Sequence, residues 1–287
     1  MKVNKRHDRQ IKIVCDFIDI NLDGDFTLEQ LSAKAACSKY HFHRIFKSLM
    51  GISVMQYVLL ARMKRASFRL AFEPHYSVTD IAFEARFESL EAFSRAFSRL
   101  FGQSPSQFRI QPDWQSWHLN YEFHPPTAGE SVMDVNIVDF EEREVALIEH
   151  KGNPKLVYET AAKFISWRKS TGLSPIASSE TFGIPHSDPS NTPDNEFQFD
   201  ICGSHSGEVP NNSFGVKSSA IPSGRCAMTI HKGSHNTIGD TVNYLYQQWL
   251  EQSGEELREF PCFFRYVNFI HDVDEHELRT EVLLPIR

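Results

Sequence analysis

No apolar run in this chain approaches the length of a bilayer-spanning helix. The longest, such as Tyr57-Val58-Leu59-Leu60-Ala61, fall far short of the roughly twenty residues a span requires. The start, Met1 to Gln10, is polar and charged and lacks the apolar stretch of a secretory leader. Cysteine is sparse and odd in number: five, at positions 15, 37, 202, 226 and 262, with no Cys-x-x-Cys pair. Such a scatter argues against a disulfide scaffold or a thiolate zinc site and points to a reducing cytoplasm. Gly-x-Ser-x-Gly, the phosphate-binding P-loop and the dinucleotide fingerprint are also missing. His41-x-His43 alone is a weak chelating pair. Neither a metal nor a cofactor is expected, and no membrane partner.

What is present is an ordinary globular composition: 287 residues, 41% hydrophobic and 23% charged, enough for one large or two medium cores. The net charge of -7 is unevenly spread. Residues 1–112 hold 17 basic and 11 acidic side chains, a balance of +6, so the remainder carries -13. A basic front favours a polyanion, and an acidic back repels one and attracts cations. Unequal surface charge also has a bland reading, two solvated faces of opposite sign.

Two internal repeats set the organisation. In the basic half, Thr27-Leu28-Glu29-Gln30 and Ser77-Val78-Thr79-Asp80 both have the spacing of a helix-starting capping box. Phe42, Ile45, Phe46 and Leu49 recur 51 residues later as Phe93, Ala96, Phe97 and Leu100, one apolar stripe on each of two helices. Gly51 and Gly102 follow as helix stops, and Ser53 and Ser104 open new helices. The unit is capped helix, tight turn, second helix and glycine stop, which is a helix-turn-helix. The second helices are expected over about 38–49 and 89–100, with a long amphipathic segment from Ser53 to about Phe72 joining the copies.

Opposite the apolar stripe of the first copy lie Lys39, Tyr40, His43, Arg44 and Lys47; the second copy offers Glu91, Ala92, Arg95 and Arg99. A helix fits the major groove, where long donors reach guanine O6 and N7, and nearby cations neutralise phosphates. One basic face on one helix is simply amphipathic. Two, at matched spacing in a basic domain, point to double-stranded DNA. The segments Ile81-Ala82-Phe83-Glu84-Ala85-Arg86-Phe87, Phe93-Ser94-Arg95-Ala96-Phe97 and Phe101-Gly102-Gln103-Ser104-Pro105 resemble the signature of AraC/XylS-type transcription regulators. The resemblance implies seven helices in two lobes on a rigid linker helix. It places the DNA contacts on Tyr40, His43 and Arg44 in the first copy and on Glu91, Ala92 and Arg95 in the second. Glu91 can accept from a cytosine amine or stand clear of the DNA. Where that family usually has glycine in the tight turn, this chain has Ala36 and Arg86. A left-handed backbone there costs a non-glycine residue about 1–2 kcal/mol.

The acidic half repeats at an offset of 81: Val145–Gly152 pairs with Cys226–Gly233, both ending His-Lys-Gly. A helical pattern follows in each, then a strand with Phe182 or Phe263, then a strand with Asp200 or Glu281. Each copy reads strand, helix, strand, strand. Alternation puts Phe199, Ile201, Val282 and Leu284 on the helix-packed face and turns Asp200 and Glu281 to the other, concave one. Carboxylates in an aromatic groove attract amphipathic cations. Plain exposure, or salt bridges to Arg279 or Arg225, is the alternative. His231-Lys232-Gly233, Trp249 and the ending Leu278-Arg279-Thr280-Glu281-Val282 resemble the GyrI-like effector-binding domain. That resemblance implies a groove for small lipophilic or cationic molecules with Glu281 in it. Trp167, Tyr244, Trp249, Phe264 and Tyr266 are candidate lining residues. The repeated histidines, His150 and His231, read as turn residues of the duplication, not as catalysts.

The expectation is therefore a multi-domain chain. An all-α DNA-binding domain with two helix-turn-helix lobes spans 1–110, a connector 111–130, and an α+β ligand-binding domain, built from the duplicated unit, 131–287. Trp114 and Trp117 in the connector are expected to dock on one domain or to form a partner surface. The partners are duplex DNA, a small-molecule effector and RNA polymerase. The competing classes are a hydrolase using Glu281 and an acidic protein-binding module.

Overall fold

Residues 5–121, 123, 133–189, 191–270 and 272–287 are described by the structure, a computed structural model. They form two units: Met1–Val132 with Ile270–His276, and Met133–Phe269 with Glu277–Arg287.

Capping chemistry sets the first unit. After α1 (Lys5–Ile20), Thr27 caps α2 (Leu28–Lys34) and Ser38 caps α3 (Lys39–Met50). Ser53 caps the linker helix α4 (Val54–Phe72). Ser77, Ser89 and Ser104 then open α5 (Val78–Glu84), α6 (Leu90–Phe101) and α7 (Pro105–Ile110). Each of these six side chains accepts from the backbone N–H three residues on, satisfying a donor the helix cannot. Gly51 and Gly102 end α3 and α6 in the left-handed conformation, as their positions require.

The buried stripes differ in phase from the sequence pattern. Phe42, Phe46 and Met50 are the core residues of α3, and Phe93, Phe97 and Phe101 those of α6. Leu49 is 40% exposed, because successive turns of a 3.6-residue helix carry position i+7 away from a stripe centred on i, i+4 and i+8. The first lobe packs Phe42 and Phe46 against Ile11, Val14, Ile18 and Tyr57. In the second, the Phe97 ring meets Phe93, Phe101 and Phe108 at centroid distances of 5.5, 4.6 and 5.4 Å. α8 (Trp114–His118) seats both indoles, fully buried, against Phe68 of the linker helix. The connector aromatics thus belong to the first unit; residues 122 and 124–132 lie outside the described residues.

Both tight turns do adopt the left-handed backbone, with φ of 49° at Ala36 and 65° at Arg86. At Arg86 the arginine earns a contact no glycine makes: its Nη2 donates to Asp25 of the first lobe at 2.7 Å. Ala36 has no such compensation. Ala36→Gly is expected to stabilise the chain by about 1 kcal/mol, read as a rise in urea midpoint. An unchanged or lower midpoint would mean that the turn is not under strain.

The second unit is one eight-stranded antiparallel sheet. Its strands are β1 (Asn136–Phe140), β2 (Arg143–Lys151), β3 (Thr181–Pro185), β4 (Gln198–Ser204), β5 (Lys217–Ile221), β6 (Gly224–Lys232), β7 (Phe263–Tyr266) and β8 (Arg279–Pro285), in the order β1-β6-β8-β7-β3-β4-β2-β5. That order is a palindrome under the 81-residue offset. Gly183 pairs with Phe264, its own equivalent, so a pseudo-twofold axis passes between β3 and β7. The repeat is larger than the sequence pattern suggested: β1 and β5 are equivalents as well. Each crosses to the opposite copy, β1 onto β6 and β5 onto β2. This exchange curls the sheet. Phe140 of the edge strand β1 reaches Phe182 of β3, its ring centroid 6.2 Å away, across the concave face. α9 (Val157–Thr171) and α10 (Ile238–Tyr244) cover the convex face. α10 runs on through a π-turn, Leu245–Trp249, into a last turn, Leu250–Ser253.

Candidate DNA-binding and ligand-binding sites

On α3, Lys39, Tyr40, His43, Arg44 and Lys47 are all exposed. They are not equally available. Lys39 is held in an ion pair by Glu29 of α2, so its charge is partly spent within the lobe. Arg44 Nη1 donates to the Tyr40 hydroxyl at 3.1 Å and its guanidinium lies 5.7 Å from that ring. The pair shapes a single exposed edge, and no described carboxylate neutralises Arg44 or Lys47. On α6, Arg95 and Arg99 are exposed and likewise form no ion pair with a described residue, and Ala92 is half-buried with its N–H bonded to Ser89 Oγ. Glu91 turns back on its own helix start. Bonds from its own backbone N–H and from Ser89 hold the carboxylate below its usual range. Capping thus satisfies Glu91, and a cytosine would have to compete with the helix N-terminus for it.

The linker helix braces both lobes. Arg62 donates to the carbonyls of Leu22 and Gly24, at 2.9 and 2.5 Å. Arg65 and Arg69 share Glu84 of α5. These arginines of the basic half are therefore structural, and on α3 and α6 Arg44, Lys47, Arg95 and Arg99 are left for phosphates and bases.

In the second unit, strand alternation sends Asp200 and Glu281 to the concave face, and their neighbours Ile201 and Val282 into the helix-packed clusters. Neither acid is bare. His186 Nε2 lies 2.8 Å from Asp200. Glu281 accepts from Arg265 Nε at 2.6 Å, and Arg265 Nη1 donates to Glu180 at 3.0 Å. Arg143 completes the strip, with its Nε 2.8 Å from Glu180. The expected partners Arg279 and Arg225 are elsewhere; Arg225 pairs with Glu255.

The aromatic candidates do not share this face. Trp167 is sealed in the core, stacked on Phe164 at 5.5 Å. Phe264 and Trp249 pack on Val282 and Leu284 beneath α10, Tyr266 beside them, and Tyr244 lies half-buried on α10 itself. The reason is period two: Phe264 and Tyr266 flank Arg265, so they point away from Glu281. The aromatics packed on Glu281's side of the sheet are Phe140, Phe182 and Phe263, with Phe260 partly buried against them. Phe182 and Phe263 were visible in the sequence only as repeat markers. Arg265 had no sequence signal except its departure from Ile184, the equivalent residue 81 positions earlier.

The repeated histidines are structural. His150 bonds Thr160 Oγ1 at 2.8 Å and the Asn153 carbonyl at 3.1 Å; His231 bonds Thr241 Oγ1 at 2.8 Å and the Ser234 carbonyl at 2.9 Å. Every partner is displaced by 81 residues. Burial lowers the pKa of His231, favouring the neutral ring such a two-bond strut needs. No cluster of His, Cys, Asp and Glu with metal-binding geometry occurs among the described residues.

Known proteins resemble both units. The family described as GyrI-like small molecule binding domain matches residues 133–287, and a helix-turn-helix domain matches 31–111. The probable transcriptional regulator YgiV of Escherichia coli K12 is 43% identical over 154 residues, covering 54% of this chain and 96% of that protein. The right origin-binding protein of Escherichia coli K12 is 26% identical over 187 residues, covering 63% of each. The crystal structure of the EcmrR C-terminal domain superposes with a TM-score of 0.47 at 18% identity, covering 55% of this chain and 99% of that one.

Proposed function

The chain belongs to the GyrI-like small-molecule-binding family, with an AraC-type helix-turn-helix domain ahead of it, and from that premise we propose how this transcription regulator works. α3 and α6 enter successive major-groove segments. Tyr40, His43, Arg44 and Arg95 read base edges, while Lys47 and Arg99 steady the phosphates. Lys39 and Glu91 set helix positions more than they read sequence, and Ala92 offers at most an apolar contact. The single observation that carries this reading is the pair Arg44 and Arg95. They occupy the same place in the 51-residue repeat, both exposed and neither ion-paired to a described residue.

The concave face of the second unit, around Glu281 and Asp200, takes a small amphipathic molecule. Its occupancy biases DNA binding or contact with RNA polymerase. The aromatic set named from sequence supports this site from behind the sheet. A hydrolase would need Glu281 as a free base, and the Arg265 guanidinium on it argues for binding over turnover.

Arg44→Ala is expected to cost about 1–3 kcal/mol on a specific duplex and far less on random duplex. Fluorescence anisotropy at fixed salt, on a site first selected from a random pool, reads both. Equal losses on the two duplexes would reduce Arg44 to a phosphate contact.

A further inference from the structure

The cross-strand neighbours of Glu281 are unlike those of its pseudo-symmetric counterpart. Glu281 on β8 lies in register with Arg265 on β7 and with Ile230 on β6. Asp200 on β4 lies in register with Ile184 on β3 and Glu149 on β2. Under the 81-residue offset, Ile184 is the equivalent of Arg265. The duplication has therefore placed a guanidinium beside only one of the two acids that share the proposed ligand face.

The pair is not explained by stability. Arg265 is 33% exposed along its side chain, so water screens its guanidinium and the pair adds only modestly to folding. Arg265 holds two carboxylates at once, with Nε on Glu281 and Nη1 on Glu180. It therefore has somewhere to go. If it releases Glu281 it keeps Glu180, and no buried charge is stranded. Beside the pair, Ile230 is 45% exposed, an apolar flank in reach of whatever meets Glu281.

We infer that Arg265 is a specificity-determining residue, an internal cation that occupies Glu281 and that a cationic ligand has to displace onto Glu180. This rests on the reading that the concave face binds the ligand. Its consequence is a filter: a lipophilic cation binds only by out-competing a guanidinium already in place, while a neutral molecule of the same shape meets no such competitor.

The test uses the full chain and two probes, tetraphenylphosphonium and the uncharged triphenylphosphine oxide, in equilibrium dialysis. Arg265→Gln is expected to raise affinity for the cation about tenfold and to change the neutral probe by less than about twofold. Arg265→Lys should stay near the parent chain. Glu180→Gln removes the alternative acceptor, ties Arg265 more firmly to Glu281, and is expected to weaken the cation severalfold. It carries the test with opposite sign if Arg265→Gln does not fold. Cation affinity that is unchanged or lower in Arg265→Gln, or unchanged in Glu180→Gln, overturns the inference and leaves the ligand-binding reading standing. If neither probe binds the parent chain or any variant, the concave-face reading falls and the inference falls with it.

Discussion

Phe97→Ala is expected to lower the stability of the DNA-binding unit by about 3–5 kcal/mol. Its ring is fully buried at the centre of the second lobe, in contact with Phe93, Phe101 and Phe108. Those neighbours are held by capped helices and by the docked indole of Trp114, whose ring lies 5.2 Å from Phe108. A well-braced site collapses poorly, so the cavity cost adds to the lost transfer energy. With native domains stable by about 5–15 kcal/mol in total, such a loss is a large fraction of the lobe's margin. Because the chain has two units, urea unfolding should be followed by probes specific to each, and only the first transition should move. DNA affinity should then collapse on specific and random duplex alike near the lowered midpoint. Arg95→Ala makes the contrast: it touches none of this core, and its loss should appear in specific binding with the transition unmoved. A Phe97→Ala midpoint shifted by less than about 1 kcal/mol would show that the second recognition helix is not anchored by this ring.

Much of this unit was legible because its determinants are local. Caps lie three residues from the groups they satisfy, and the left-handed stops at Gly51 and Gly102 follow the stripes directly. The 51-residue repeat doubled each weak signal. What escaped was phase: Met50 and Leu49 compete for the same stripe, and only the packing of α1 and α4 decides between them. In the second unit the faces of Asp200 and Glu281 followed from alternation, which is also local. The aromatic lining did not. Assigning Phe264 and Tyr266 to Glu281 requires a register, and the register puts Arg265 opposite Glu281 instead. The exchanged strands were hidden for a similar reason. Lys217-Ser218-Ser219-Ala220 is an exposed edge with little apolar alternation, and its partner β2 precedes it by more than sixty residues. Long-range pairing leaves no imprint in a short window, while the duplication offset, applied beyond the obvious blocks, would have exposed it.

A close approach in the second unit marks a further sensitive position. Gly203→Ala is expected to destabilise that unit by about 3 kcal/mol, from overpacking and lost charged hydrogen bonds together. A Cβ at Gly203 would lie 1.9 Å from Arg168 Nη2 and 2.3 Å from Ser174 Oγ. Long side chains ordinarily swing clear of a methyl group, but Arg168 is only 4% exposed. Its Nη1 donates to Thr181 Oγ1 at 2.9 Å, its Nη2 to Ser174 Oγ at 3.1 Å, and its guanidinium sits 4.7 Å from the Phe164 ring. Burial already lowers the pKa of this cation, to about 10, and no described carboxylate pairs with it. Displacing it would strand that charge. The second copy solves the same space differently: 81 residues on, Trp249 stands for Arg168, Leu284 for Gly203 and Cys262 for Thr181, an apolar cluster in place of a polar one. Glycine and arginine therefore act as a matched pair, and the damage should depend on both. In an Arg168→Leu background Ser174 Oγ loses the guanidinium that holds it and can turn aside, so the added methyl gains room and its cost should drop below about 1 kcal/mol, a coupling that a double-mutant cycle by urea unfolding measures. An alanine that costs the same with and without Arg168 would show that the glycine is required by the β4 backbone itself and not by the guanidinium folded over it.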